Sequence, residues 1–413
     1  MARGGTPPIG TDMDAADETA KDMSVRPIVL LSMAGFCAMA VLRVSEPILP
    51  EVAHEFGTTV GIASIMATAF ALAYGVCQVF SGPFGDRYGK FLIITIALAA
   101  STIMVTATAW SDSLTMLAWL RFATGAATAA VIPLSLAYIG DIVPYERRQH
   151  VLARYITGTI LGLMFGQAAG GLIIELAGWR SVFLVMGGLY AVMTVLCFFE
   201  LRSARVDRRR NQMSVRVKNV LAQYRSIVTR PHAKRVLLTV FLEGFFLYGG
   251  VAYLGAFLRH KFAIDYATIG LLLAGFGIGG LSYILASRPI IRILGESGMV
   301  SLGGVSALAG YLMMILLPDW QFAALGNFLL GFGFSMLHNT LQTNATQMAP
   351  DSRGSAVSLF AFSLFLGQAS GVALLGPVVD GFGYTPAFIA CGLGMLCLGL
   401  WFGRRLKTQP NEP

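Results

Sequence analysis

Long apolar segments dominate this 413-residue chain, each running for about 18 to 25 residues before polar residues interrupt it. Wound as an α-helix at about 1.5 Å per residue, a run of that length crosses the roughly 30 Å hydrocarbon core of a bilayer. Hydropathy places such runs at 27–45, 60–81, 91–110, 114–139, 150–175, 180–200, 236–258, 265–287, 298–317, 321–347, 354–379 and 384–403. With 55% hydrophobic and 13% charged residues and a mean hydropathy of +0.68, a soluble globular fold of this length is excluded. The expected fold class is an all-α polytopic membrane protein with twelve transmembrane helices.

Between the sixth and seventh runs lies the basic stretch 201–235, which holds 11 of the 30 Lys and Arg residues and a single acid, Asp207. Cationic residues collect on the cytoplasmic side of a membrane protein, which fixes the linker there. Six spans on either side then put both termini in the cytoplasm. Arg87, Lys90, Arg147, Arg148, Arg288, Arg292, Arg353, Arg404, Arg405 and Lys407 fall on the same side. The net charge of +8 therefore reports orientation, with attraction to anionic headgroups added. A single aromatic residue, Tyr224, lies within the linker's basic stretch, so nucleic acid is not the expected partner. The expected organisation is a cytoplasmic tail (1–26), two six-helix bundles (27–200 and 236–403) about the linker, and a second tail (404–413). The first tail lacks an apolar signal core and its composition predicts disorder. Cys37, Cys77, Cys197, Cys391 and Cys397 lie within apolar runs without metal-ligand spacing and read as small buried hydrophobes.

Sliding the chain on itself by 205 residues aligns Gly75 with Gly280, Arg87 with Arg292 and Arg148 with Arg353. It also aligns Gly162 with Gly367, Gly166 with Gly371, Gly171 with Gly376, Glu175 with Asp380, Gly178 with Gly383 and Phe183 with Phe388. The charged and aromatic matches argue for duplication beyond a chance overlay of 47 glycines. Two similar halves joined by a cytoplasmic linker are the parallel-repeat plan of secondary transporters, with a central site that faces each side in turn.

Between the second and third runs the chain reads Gly82-Pro83-Phe84-Gly85-Asp86-Arg87-Tyr88-Gly89-Lys90. This resembles the Gly-x-x-x-Asp-Arg-x-Gly-Arg/Lys signature of the major facilitator superfamily. Pro47-Ile48-Leu49-Pro50 is similar to the Pro-x-x-Pro ending of the first span in the drug:proton antiporter branch. Arg121-Phe122-Ala123-Thr124-Gly125 resembles its Arg-x-x-Gln-Gly element with Thr124 in place of Gln. Gly162-Leu163-Met164-Phe165-Gly166-Gln167-Ala168-Ala169-Gly170-Gly171 resembles its Gly-x-x-x-Gly-Pro-x-x-Gly-Gly motif with Gln167 in place of Pro. The resemblance covers about 27 to 403 and implies alternating access between two bundles, with a cavity among spans 1, 4, 7 and 10. It further implies that Lys90 or Arg87 pairs with Asp141 in a cytoplasmic gate, and that Arg121 serves the central cavity, the other reading of Arg121 being a structural ion pair. Independently of the family, Gly82, Gly85 and Gly89 would let helix ends approach closely, and Asp86 could face a neighbouring helix N-terminus. Gly162, Gly166 and Gly170, four residues apart, would let one helix face pack tightly on another span.

Charges within spans are costly and usually face a partner or water. Glu243, eight residues into the seventh run with no basic neighbour in sequence, is the first choice for a proton carrier, the other reading being a permanently paired carboxylate. Arg43 and Glu46 are three apart and share a helical face; they either pair or take part in substrate or proton access. In the polar run His338 to Gln347, the residues His338, Asn339 and Gln342 are the expected cavity members, with His338 either a proton-coupling group or a hydrogen-bonded structural one. Phe246 and Tyr248 are candidates for an apolar substrate wall, with lipid-facing packing the alternative. No nucleophile, metal or phosphate site is found, and Gly275-Phe276-Gly277-Ile278-Gly279-Gly280 lacks the strand that a nucleotide loop requires.

The resulting expectation is a cofactor-free, non-enzymatic secondary transporter of the bacterial inner membrane, acting as a monomer. It would export a small amphipathic or drug-like compound in exchange for protons. The alternatives are an importer or facilitator of a small organic anion or metabolite, and a non-transporting membrane receptor or polytopic membrane enzyme.

Overall fold

The computed structural model describes residues 11–203, 217–349 and 352–408, and among them every regular element is helical. Span 1 covers Arg26–Glu55, span 2 Val60–Tyr88, span 3 Lys90–Thr108 and span 4 Leu114–Ile142. Spans 5 and 6 share Glu146–Arg202, span 7 covers Pro231–Phe262, and spans 8 and 9 share Tyr266–Leu316. Span 10 is Phe322–Gln347, span 11 Arg353–Phe382 and span 12 Tyr384–Lys407. A straight helix of 57 residues would reach about 85 Å, nearly three hydrocarbon thicknesses, so each shared stretch has to turn back. The turns come at Gly178 (φ 76°) and Gly295 (φ 60°), a backbone region open to a residue without Cβ. Twelve spans result.

Spans 1, 2 and 8 run past the ends that hydropathy gave, to Glu55, Tyr88 and Gly295. Their last turns carry charges, Glu51 and Glu55, Asp86 and Arg87, and Arg288 and Arg292, which end a hydropathy run without ending the helix. The expected irregular tail over 1–26 is corrected too: the first helix begins at Thr11, residues 1–10 lying outside the described chain. Ala, Glu, Lys and Met are good helix formers, and acidic residues near the start suit the helix N-terminus. Within the linker, 204–216 lie outside the described residues, Val217–Thr229 is a helix, and span 7 already starts at Pro231. The Tyr224 hydroxyl donates to the Val79 carbonyl (2.8 Å) and Ser355 Oγ donates to Gln223 Oε1 (3.1 Å), so the linker helix straps span 2 to span 11.

Duplication is visible in the backbone. Among the described residues, those with left-handed φ are Gly57, Gly89, Gly178, Ala263, Gly295 and Gly383. They pair as 57 with 263, 89 with 295 and 178 with 383, at offsets of 205 or 206 residues, and each pair ends equivalent spans. Packing repeats as well. A Cβ at Gly162 or Gly166 would strike the carbonyl oxygen of Phe36 or Ala40, and at Gly367 or Gly371 that of Phe241 or Phe245. Span 5 thus lies on span 1 as span 11 lies on span 7, residue for residue at the same offset.

The two halves meet by exchange across this pseudo-twofold. Gly171 of span 5 sits on the Tyr266 carbonyl of span 8, and Gly376 of span 11 on the Gly61 carbonyl of span 2. At the end of the bundle away from the linker, Glu175 accepts from the Tyr266 N–H (3.0 Å) and Asp380 accepts from the Gly61 N–H (2.9 Å). A carboxylate at the end of one half therefore caps a helix N-terminus of the other, twice. Thr59 adds a hydroxyl bond to Asp380 (2.6 Å), and the Tyr266 hydroxyl donates to Glu51 (2.7 Å). The Tyr253 hydroxyl, 2.9 Å from Ser64 Oγ and 2.6 Å from the Val372 carbonyl, fills the middle of this far-end seam.

Candidate functional site

The centre of the molecule is marked by a pair that the repeat itself relates. Arg43 and Tyr248 occupy equivalent positions of the two halves, and the Arg43 guanidinium lies 4.1 Å from the Tyr248 ring centroid. Equivalent residues touch only near the axis that relates their halves. Both come from interrupted helices: span 1 breaks at a turn at Val44, and span 7 widens into a π-helix over Gly244–Tyr248. Arg43 Nη1 donates to Glu46 Oε1 (2.8 Å), and Gln167 Nε2 donates to Glu46 Oε2 (2.6 Å), all three side chains being buried. The two residues expected to pair along span 1 do so. Gln167, which stands where the antiporter motif has Pro, is a third member that sequence reasoning quoted but did not assign.

One turn before Tyr248 lies the second pair. His338 Nδ1 of span 10 is 2.9 Å from Glu243 Oε2 of span 7; the Glu243 side chain is 0% exposed and that of His338 17%. The imidazole is held between Phe334 (ring centroids 4.6 Å apart) and Phe360 (5.3 Å). Phe334 also meets Tyr248 at 5.2 Å, so an aromatic wall connects the two ionisable pairs. The pair is chemically able to share one proton: a neutral carboxyl O–H can donate to nitrogen, or an imidazolium N–H to the carboxylate. Both states are neutral overall; releasing the shared proton leaves an uncompensated carboxylate in a water-poor site, which is costly unless the surroundings rearrange. At the 205-residue offset Glu243 corresponds to Ala38 and His338 to Pro133. The duplicated architecture is therefore asymmetric at its most reactive point.

Toward the linker end, Asn339 and Gln342 are exposed on span 10. They lie one and four residues beyond His338 on the same helix. Two other expected cavity residues lie elsewhere. Phe246 packs against Gly394 of span 12, inside the C-terminal half, because the wide π turn directs Tyr248 rather than Phe246 toward the axis. Arg121 is wholly buried within the N-terminal half: it donates to Ser45 Oγ (2.7 Å) and the Val41 carbonyl (3.3 Å) and lies over Phe70 (4.3 Å). The break at Val44 frees helix carbonyls, and Arg121 satisfies one of them, so here it braces span 1 instead of facing a ligand.

At the linker end, Lys90 Nζ is 2.5 Å from Asp141 Oδ2 and 3.5 Å from Asp86 Oδ1. The lysine, not Arg87, makes the expected pair; Arg87 lies over the Tyr88 ring at 5.1 Å. The signature is not the glycine-rich loop expected from its sequence. Helix continues to Tyr88, and Gly89 alone breaks it with φ 100°. Gly82 stands in open space, so it permits no close approach here, whereas Gly85 faces Leu134. Asp86 has Lys90, one turn on, as its ion-pair partner in place of the expected helix N-terminus. Gly170 meets Val44 and Pro47 (3.2 and 3.3 Å from an added Cβ), completing the tight face of span 5 on span 1. Missed by sequence reading were the far-end carboxylate caps, although the alignment of Glu175 with Asp380 was their signal.

A duplicated twelve-helix bundle, sealed at one end by exchanged contacts and holding buried ionisable pairs near its pseudo-twofold axis, is a membrane transporter of the alternating-access class and not an enzyme. The chain belongs to the Major Facilitator Superfamily, whose profile matches residues 31–372 and 252–413. It is 24% identical over 363 residues, 87% of each chain, to the uncharacterized MFS-type transporter YwfA of Bacillus subtilis. Multidrug resistance protein 2 of the same organism is 23% identical across 93% of this chain and 96% of its own. Among solved structures, the nucleoside transporter NupG (a D323A mutant) superposes with a TM-score of 0.75 at 12% identity, covering 91% of this chain and 98% of that one.

Proposed function

We propose that this transporter exports a small amphipathic, drug-like compound in exchange for protons, with Glu243 and His338 as the proton-carrying pair. The observation that carries the reading is the 2.9 Å contact between a fully buried carboxylate and an imidazole. Its partner is an imidazole, where a permanent ion pair would use Arg or Lys. Arg43, Tyr248, Asn339 and Gln342 surround the substrate beside it, and Glu46 modulates Arg43. Lys90, Asp86 and Asp141, with Gly89 at the bend, form the gate at the linker end. The basic linker sets that end, and both termini, in the cytoplasm of a bacterial inner membrane, so the approach past Gln342 is the side from which an exporter loads. Similarity to Multidrug resistance protein 2 supports export of a drug-like cargo. An importer of organic anions would want a cation free to receive the cargo, and Arg43, Arg121 and His338 already engage Glu46, Ser45 and Glu243.

The test is transport in proteoliposomes with and without an imposed pH gradient, using a lipophilic dye as cargo. Wild-type movement should follow the gradient, while Glu243→Gln keeps dye binding but ignores the gradient. Equal gradient dependence in both proteins rejects Glu243 as the proton carrier.

A further inference from the structure

A second binding surface lies at the linker end of span 12, far from the central pairs. His232 and Arg235 of span 7, Asn344 of span 10, and Trp401 and Arg405 of span 12 enclose a narrow hollow. Beside it, sharing Trp401 and Arg405, an open groove of about 490 Å³ continues past Arg404 to Leu400 and Cys397. Positions 397, 400, 401 and 404 share one helix face, and seven residues of helix separate Cys397 from Arg404 by about 10 Å. The groove thus has a cationic rim and an apolar floor directed into the hydrocarbon, and among the described residues no Asp or Glu lines either hollow. Trp401, 38% exposed, sits at the rim, the depth at which tryptophan favours the membrane interface. A soluble anion would use the rim alone. The apolar floor needs a ligand with a tail, and basic pockets between spans suit anionic headgroups.

We propose that this surface binds one anionic phospholipid, its phosphate held by Arg404, Arg405 and Arg235 and an acyl chain lying along Leu400 and Cys397. The lipid bridges span 12 to the first turns of span 7. Arg235 is eight residues, about 12 Å, from Glu243 along that helix, so the lipid braces the element that carries the ionisable pair.

Native mass spectrometry of the full chain in detergent tests this with added palmitoyl-oleoyl phosphatidylglycerol, phosphatidylcholine or inorganic phosphate. Wild type should retain phosphatidylglycerol over phosphatidylcholine. Retention should weaken about fivefold for each charge removed, in Arg235→Gln and in Arg404→Gln, and about 25-fold in the double variant Arg404→Gln/Arg405→Gln. Arg405→Lys, which keeps the charge, and Lys407→Gln, which removes one from the same turn outside the groove, should both retain the lipid. Cys397→Trp, which fills the floor, should lose it. Equal retention of the two lipids overturns the proposal, as does a loss in Lys407→Gln matching that in Arg404→Gln. Displacement of phosphatidylglycerol by millimolar phosphate would overturn it in favour of a site for free anions.

Discussion

Removing the two far-end caps should open that end of the transporter. Asp380 and Glu175 each hold a helix N-terminus of the opposite half through one backbone N–H, at 2.9 and 3.0 Å, and both side chains are exposed. An exposed carboxylate at a helix N-terminus contributes about 1 kcal/mol. The two sit on different seams and share no partner, so their losses should add to about 2 kcal/mol. That is roughly a 30-fold shift from the closed toward the open far end. The reporter is Ser64→Cys, because Ser64 is 2% exposed beneath Tyr253. In sealed vesicles, a membrane-impermeant maleimide added from the far side reads how often that cysteine is uncovered. Native Cys397, at the opposite end of the bundle, is out of its reach. Glu175→Ala/Asp380→Ala should react about 30-fold faster than the parent and each single variant about fivefold faster. An unchanged rate in the double variant, or a single variant equal to the double, refutes the reasoning.

Four further outcomes are expected. Gly166→Ala and Gly371→Ala should each cost about 1–3 kcal/mol from overpacking against a backbone carbonyl, read as a lower melting midpoint in detergent. Gly82→Ala, at an open helical position, should be neutral or stabilise by up to about 1 kcal/mol. Gln167→Leu should destabilise by about 1–3 kcal/mol, since it strips a donor from the buried Glu46 carboxylate; the same melting experiment checks it. Arg121→Met should lower stability yet leave dye affinity within about twofold of wild type, because its partners are Ser45 and the Val41 carbonyl; a larger loss of affinity by fluorescence titration would return Arg121 to the substrate site.

The spans and the repeat were legible because each is a property of the chain taken in order. Hydropathy marks where lipid begins, and an offset of 205 residues needs no knowledge of packing. The repeat foretold more than it was asked to, since Gly178 and Gly383 prove to be equivalent turns and Glu175 and Asp380 equivalent caps. What the chain hid was contact between distant segments. Glu243 and His338 are 95 residues apart, and helical periodicity gives a side chain's bearing on its own axis but not the helix that axis lies against. The π turn over Gly244–Tyr248 shifts that bearing without an unambiguous sequence mark, which is why Phe246 and Tyr248 were taken together although only Tyr248 reaches the axis. Arg121 was hidden for a related reason: a buried cation calls for acceptors, and here they are the distant Ser45 hydroxyl and the Val41 main-chain carbonyl, the second of which no residue letter reveals.

The glycine contacts of span 5 on span 1, and of span 11 on span 7, place main chain directly on main chain. A joint made without side chains offers no rotamer to flip and no flexible lever to bend, so it cannot slide by small steps. Span 5 is thereby locked to span 1 and span 11 to span 7, and a swing that carries cargo across has to part the matching contacts between the units, Gly171 on Tyr266 and Gly376 on Gly61, as whole steps.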